Sequence, residues 1–571
     1  MKATGHALRR GCFLVILAAV FSAGNLRAAT TADTGSAGGS ESAPRLESPL
    51  LSAAIDREIE AGWQTAGAKP AAPASDAEFL RRVYLDLVGT IPTVSVTRDF
   101  LEASNSDKRS ELVDRLLDSP RHTLHFARVL RSRLAPEATK DFQTLNMARP
   151  LDLWLRKKVA ENTGYDKLVQ ELLSPSVKVL QQQNNRQDSA EAGPRAWLLL
   201  KESKPENLAA GSARALLGLR IECAQCHDHP FEQWKRDEFW SYAAFFSGLE
   251  RIQNGPNQFQ AMSREVADRR ELGIPGTGRV VQARFLDGNE PDWKPHVGAR
   301  VTLAQWMTTR ENPFFARAMV NRTWAEFFGT GLVDPVDDMG PHNRPSHPAL
   351  LDELAQQFAA HSFDVKYLMR AIVLSRPYQL SSAMSDPTQS DRRLFARMVP
   401  RGLTPDQLRD SLAEANGGPT LVSDDQFYNF GYGQNDFEQK FALTEDTAVR
   451  YETSIIQALE LMNGQVTSQA ASPQGGGQSH LISAVMQNPF MSTPERIETL
   501  FLAALTRPPT PDELARVTKY IESSPGLDVG RLLLGKVAEA FGRPQADNKE
   551  SMAMSDVYWA LLNSPEFLLN H

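Results

Sequence analysis

Apolar residues return at helical spacing along almost the whole chain, and that recurrence restricts the possible folds more than any other feature. Leu51, Ala54, Ile55, Ile59 and Trp63 fall on one helical face, and Phe79, Leu80, Val83, Tyr84 and Leu87 repeat the pattern after a Pro/Ala loop. Further helices are expected at 97–103, 108–117, 122–134, 151–159 and 165–173. Asp76, Asp107 and Ser119-Pro120 stand where N-caps and a first-turn proline belong. His122 and His125 share one of these helices and read as core or surface histidines. A polar loop at 181–194 leads to an Ala/Leu-rich helix at 207–219, and the aromatic stretch 239–249 is again helical. Residues 252–300 lose the helical period, and Gly288, Pro291 and Pro295 limit any strand at 279–286.

The pattern resumes at Val301. Asn312-Pro313 is expected to open a helix through Phe328 that Gly329 stops. Helices follow at 349–360, 365–375 and 405–416, the last opened by the capping-box pattern Thr404-Pro-Asp-Gln407. Residues 421–450 and 472–478 read as loops, and 455–462, 496–505, 511–523 and 556–569 as helices. The expected fold is mainly α, with two helical lobes (50–250 and 301–571) joined by an irregular linker with a small β-insert (251–300).

The first residues are of a different kind. Lys2, Arg9 and Arg10 precede an apolar run from Phe13 to Ala23 and the small-residue pattern Leu26-Arg27-Ala28-Ala29. This reads as a signal peptide over 1–28, the run being too short for the ~20 residues a spanning helix needs. A flexible Ala/Gly/Ser/Thr tether over 29–49 follows. The protein is therefore expected to be exported, to the periplasm or cell surface, with no membrane span after signal removal. Loss of Lys2, Arg9, Arg10 and Arg27 moves the net charge from −7 to −11 (−7 − 4), which argues against nucleic acid as a partner. Of the three cysteines, Cys12 precedes the apolar run and leaves with it.

The other two stand in Cys223-Ala-Gln-Cys226-His227-Asp228-His229-Pro230, the densest chemistry in the chain. Cys-x-x-Cys-His is the attachment pattern of c-type haem, in which two thiols form thioethers and the adjacent histidine ligates the iron. Phe231, Trp234, Phe239 and Trp240 are candidate porphyrin walls, and Met262, Met339 and His342 candidate second axial ligands. Alternatively, Cys223, Cys226, His227 and His229 hold Zn or Fe directly, or the thiols form a surface disulfide with incidental histidines. A second polar group, Asp334, Asp337, Asp338, His342 and His347, offers ligands for Ca²⁺ or an acid–base pair, or else a turn whose side chains cap neighbouring helices. Arg317, Asn321 and Arg322 on the preceding helix are expected to pair with these acids.

Phe79-Leu-Arg-Arg-Val-Tyr-Leu-Asp-Leu-Val-Gly89, Lys108-Arg109 and the cysteine motif resemble domain of unknown function 1549. Residues 312–322, Gly331-Leu-Val-Asp-Pro-Val-Asp-Asp338 and 556–564 resemble domain of unknown function 1553, its companion in planctomycetes and related bacteria. The first family is grouped with planctomycete cytochromes, and many relatives carry an upstream cytochrome c domain, for which residues 30–49 leave no room. The resemblance implies an exported haem protein with a redox or electron-transfer role and an unknown redox partner. The alternative is a cell-surface binding or scaffold protein with a structural Cys/His metal site.

Overall fold

The computed structural model describes residues 45–139, 142–176, 191–230, 232–252, 262–266, 268–417, 480–523 and 549–571. The expected signal peptide, most of the tether, the 421–450 and 472–478 loops, the 455–462 helix and Phe231 lie outside them.

The described chain is mainly α-helical. In the first part, α1 spans Ser48–Ala66, α2 Asp76–Val88, α3 Val94–Glu102, α4 Lys108–Leu117, α5 Pro120–Leu134, α6 Phe142–Ala160 and α7 Tyr165–Leu173. Next come α8 (Ala192–Leu200), α9 (Pro205–Ser212) and α10 (Arg236–Ala243). Two antiparallel hairpins make up the β-insert: β1 (Leu249–Ile252) with β2 (Met262–Glu265), and β3 (Glu271–Gly273) with β4 (Val280–Gln282). The chain then returns to helix with α11 (Ala299–Met307), α12 (Phe315–Phe328), α13 (Pro348–Ala360), α14 (Val365–Val373) and α15 (Pro405–Ala415). Further helices cover His480–Gln487, Thr493–Leu505, Pro511–Ser523, Lys549–Leu562 and Pro565–Leu568. None is long and apolar enough to cross a membrane.

Local chemistry sets most of these boundaries. Ser75, one residue before Asp76, caps α2 by accepting the Glu78 N–H at 3.2 Å, and Ser119 caps α5 by accepting that of His122. The Thr404/Gln407 capping box forms as expected. Asn312 accepts the N–H groups of Phe314 and Phe315, so α12 begins three residues later than expected. The single helix expected over 556–569 is broken, because Ser564 caps a new turn at Pro565 and proline cannot continue the old one. Gly193 and Pro194, read as loop, lie inside α8. Proline is tolerated in a first helical turn. Glycine is required because a Cβ at 193 would sit 2.3 Å from the Trp154 Cβ of α6.

One apolar core draws on residues from Leu51 to Met398, with Trp197, Phe246 and Trp324 fully enclosed, and Ile274, Ala283 and Leu286 of the β-insert belong to it. A second gathers Leu403, Leu412, Ile497, Phe501, Tyr558 and Phe567 around Leu85 and Ile91. Helix α2 therefore serves both. Its Arg81 and Arg82 are fully buried and donate to carbonyls of Ala504 and Phe567, and of Tyr378, Leu380 and His571. Asp86 on the same helix accepts from Tyr378 Oη at 2.7 Å, Asn570 Nδ2 at 2.6 Å and Arg401. His122 and His125 are buried core residues: His122 Nδ1 donates to the Leu87 carbonyl at 2.8 Å, and the His125 ring packs on Gly89.

Candidate functional site

The cysteine motif leaves a distorted helix. Beyond α9 the chain makes a π-helical turn, Ala213–Leu217, closed by Gly218 in the left-handed region (φ +67°). A Cβ at Gly218 would lie 2.8 Å from the Met339 Sδ, and the Met339 N–H donates to the Gly218 carbonyl at 3.0 Å. A 3₁₀ turn, Glu222–Gln225, then carries the first cysteine. Ile221 and Ala224 are fully buried, and this anchoring turns Cys223, Cys226, His227 and Asp228 outward. Three bonds tack the loop to α10 and its approach: Trp240 Nε1 donates to the Gln225 carbonyl at 3.0 Å, the Arg236 N–H to Asp228 Oδ1 at 2.9 Å, and the His229 N–H to the Trp234 carbonyl at 2.8 Å.

Both thiols are exposed and unbridged. Trp234, Phe239 and Trp240, candidate porphyrin walls, instead sit in the main core at 6%, 1% and 4% exposure, so none of them is free to cover a cofactor. The two histidines of the motif differ. His227 Nδ1 lies 2.7 Å from the Asp228 carbonyl oxygen, which can only accept, so Nδ1 carries the proton and Nε2 keeps its lone pair. His229 Nδ1 accepts the Glu232 N–H at 2.9 Å, so in the neutral ring Nε2 carries the proton and is no ligand.

The second polar group splits into parts with separate duties. Asn321 of α12 fixes its loop, donating to the Val333 and Val336 carbonyls and accepting the Val333 N–H. Asp337 is buried and bridges an arginine inside the π turn and one just before the motif, with Arg214 Nε at 2.6 Å and Arg220 Nε at 2.8 Å. Burial alone would raise its carboxyl, but Arg322, Arg214 and Arg220 outweigh that and hold it below the usual carboxylate range. Arg317 pairs with Asp352 instead of the loop, and Arg322 donates to the Arg214 carbonyl. Asp334 offers its carbonyl to Asn343. His347 stands apart at the start of α13, against Gly62 and Phe395, with Nδ1 3.1 Å from Ser346 Oγ.

Asp338 and His342 do reach the cysteine loop. His342 Nδ1 lies 2.7 Å from Glu232 Oε1 and its Nε2 3.3 Å from Asp338 Oδ2. Burial and the hydrogen-bonded Asp338 carboxylate push the Glu232 carboxyl up, against the opposing pull of His342. Of the other candidate axial ligands, Met339 packs against Gly218 at the edge of the core, and Met262 lies on β2. Sequence reasoning missed Arg214, Arg220 and Glu232. Glu232 follows the motif by two residues, but nothing in the spacing marks it out from other acids.

Residues 54–251 match the family model described as a protein of unknown function (DUF1549), and residues 299–440 the one described as a protein of unknown function (DUF1553). The chain carries both domains in tandem. The DUF1553 match stops before 556–564, which supplies Tyr558 and Leu562 to the second core. Cys223, Cys226, His227 and Glu232 belong to the DUF1549 domain, and Asp337, Asp338 and His342 to the DUF1553 domain, so the surroundings of the motif are built from both. No curated protein and no solved structure matches the chain.

Proposed function

We propose that the exported chain attaches a c-type haem at Cys223, Cys226 and His227 and serves redox or electron-transfer chemistry in the periplasm or at the cell surface. The observation that carries the reading is the set of donors on one exposed turn: two unbridged thiols and a His227 ring whose Nδ1–H is held by the Asp228 carbonyl, leaving Nε2 as a ligand atom. Fixing the distal ring nitrogen in this way is how ligating histidines are oriented. Cys223 and Cys226 would hold the haem through thioether links, and His227 Nε2 would be its ligand atom from this chain. Bound haem supplies one-electron chemistry, and the chain's part is to present it at the surface, where a redox partner can approach.

A structural zinc or iron site on the same residues is the rival reading. It would draw on His229, whose Nδ1 is already an acceptor, and that leaves three donors in place of four. The test is the pyridine haemochrome spectrum of the full chain made in a host with haem-ligation machinery. A c-type spectrum that disappears in Cys223→Ser/Cys226→Ser supports the proposal. A colourless protein that loses about one zinc or iron per chain on Cys223→Ser/Cys226→Ser supports the rival.

A further inference from the structure

The strongest cluster outside the cysteine motif is Glu232, Asp338 and His342, in which one ligand atom from each residue lies within 4.8 Å of the others. The three come from the two different family domains, so their meeting is a product of the tertiary fold. Charge counting makes the group unusual. Both nitrogens of His342 face carboxylate oxygens, at 2.7 and 3.3 Å, and the two carboxylates also adjoin one another. A neutral imidazole has one donor and one acceptor nitrogen, so it cannot satisfy both acids. An imidazolium answers one of the two negative charges, and no Lys or Arg among the described residues pairs with either carboxylate. Two added protons, or one divalent cation, balance the group.

The geometry favours the cation. Glu232 forms the floor, its side chain 7% exposed, Asp338 the wall at 25%, and His342 the rim at 45%, so the ligand atoms open toward solvent. One ligand atom from each residue within 4.8 Å of the others brings the three within reach of a single first-row metal, whose bonds of about 2.0–2.2 Å require only a small inward shift of the side chains. Gly340 makes the approach possible, because a Cβ there would fall 2.6 and 2.7 Å from the Glu232 carboxylate oxygens and 2.7 Å from His342 Cε1. We infer that Glu232, Asp338 and His342 form a binding site for a first-row divalent cation of the zinc type, joining the DUF1549 and DUF1553 domains beside the cysteine loop. One imidazole nitrogen and two carboxylate oxygens are a donor set for Zn²⁺, and water completes the coordination. The inference does not depend on the haem reading.

The test uses the full chain carrying Cys223→Ser/Cys226→Ser, which removes thiol-bound zinc from the count. Equilibrium dialysis against Zn²⁺ with elemental analysis should give one zinc per chain and a zinc-dependent rise in Tm. Adding Glu232→Gln or His342→Gln should weaken zinc binding at least tenfold and abolish that rise, while circular dichroism shows each variant folded. Absence of zinc from the Cys-to-Ser protein, or zinc retained unchanged in both added variants, overturns the inference.

Discussion

At the scale of single residues, two side chains of the site are set by opposite electrostatic surroundings. Asp337 is surrounded by guanidinium groups, while Glu232 faces another carboxylate and a histidine. Asp337→Asn should cost about 2–4 kcal/mol, since it keeps the shape but strips the negative charge from a buried group bonded to Arg214 and Arg220. The folded-state carboxyl lies below its unfolded value, so this stabilisation is complete above about pH 4 and fades as pH falls through the folded value. Chemical denaturation of both proteins should therefore show a constant gap from about pH 5 to 7 that narrows below pH 4. A gap independent of pH down to 2 would contradict the ion-pair account. Of this site, the sequence displayed the cysteine motif and the acidic loop as separate candidates. It did not display that Asp338 and His342 converge on Glu232, or that Asp337 turns to Arg214 and Arg220, because residue spacing carries no information about contacts made across two domains.

At the scale of elements, helical periodicity and end signals were legible wherever the burial was one-sided and the cap local. The Pro511–Ser523 helix and the Thr404/Gln407 box fall where the pattern places them. The pattern failed at α8, where Gly193 and Pro194 read as a loop although the glycine is there for contact with Trp154. Gly193→Ala should destabilise by about 1–3 kcal/mol, because its new Cβ meets the stem of a buried tryptophan on a neighbouring helix, with no flexible tip to yield. Thermal unfolding reads this directly, and a variant as stable as the parent would show that α6 and α8 do not pack so closely. It also failed in the π turn before the motif, since a five-residue widening of a helix leaves no mark on a 3.6-residue period.

At the scale of the whole molecule, α2 joins the two cores, and the buried Arg81 is its strongest polar tie to the C-terminal helices. It donates to Ala504 and Phe567 at 2.9 and 2.7 Å, and burial lowers its guanidinium to about 10. Arg81→Met should orphan both carbonyls, cost about 3–5 kcal/mol and expose the helices after residue 400 to protease before the rest. Uniform proteolysis along the chain would show that the cores do not separate this way. Other ties, Asp337 to Arg214 and Arg220 and the Met339 N–H to the Gly218 carbonyl, bring parts of both family domains to the cysteine loop, whose thiols and His227 stay exposed. Haem attached covalently to this loop, as proposed, stays with the chain on denaturation, so intact-mass spectrometry of the denatured protein from a haem-ligating host is the deciding measurement. A mass above the apo chain by one haem, lost in Cys223→Ser/Cys226→Ser, is the expected result. The apo mass alone, under conditions in which a control cytochrome c is fully loaded, would contradict it.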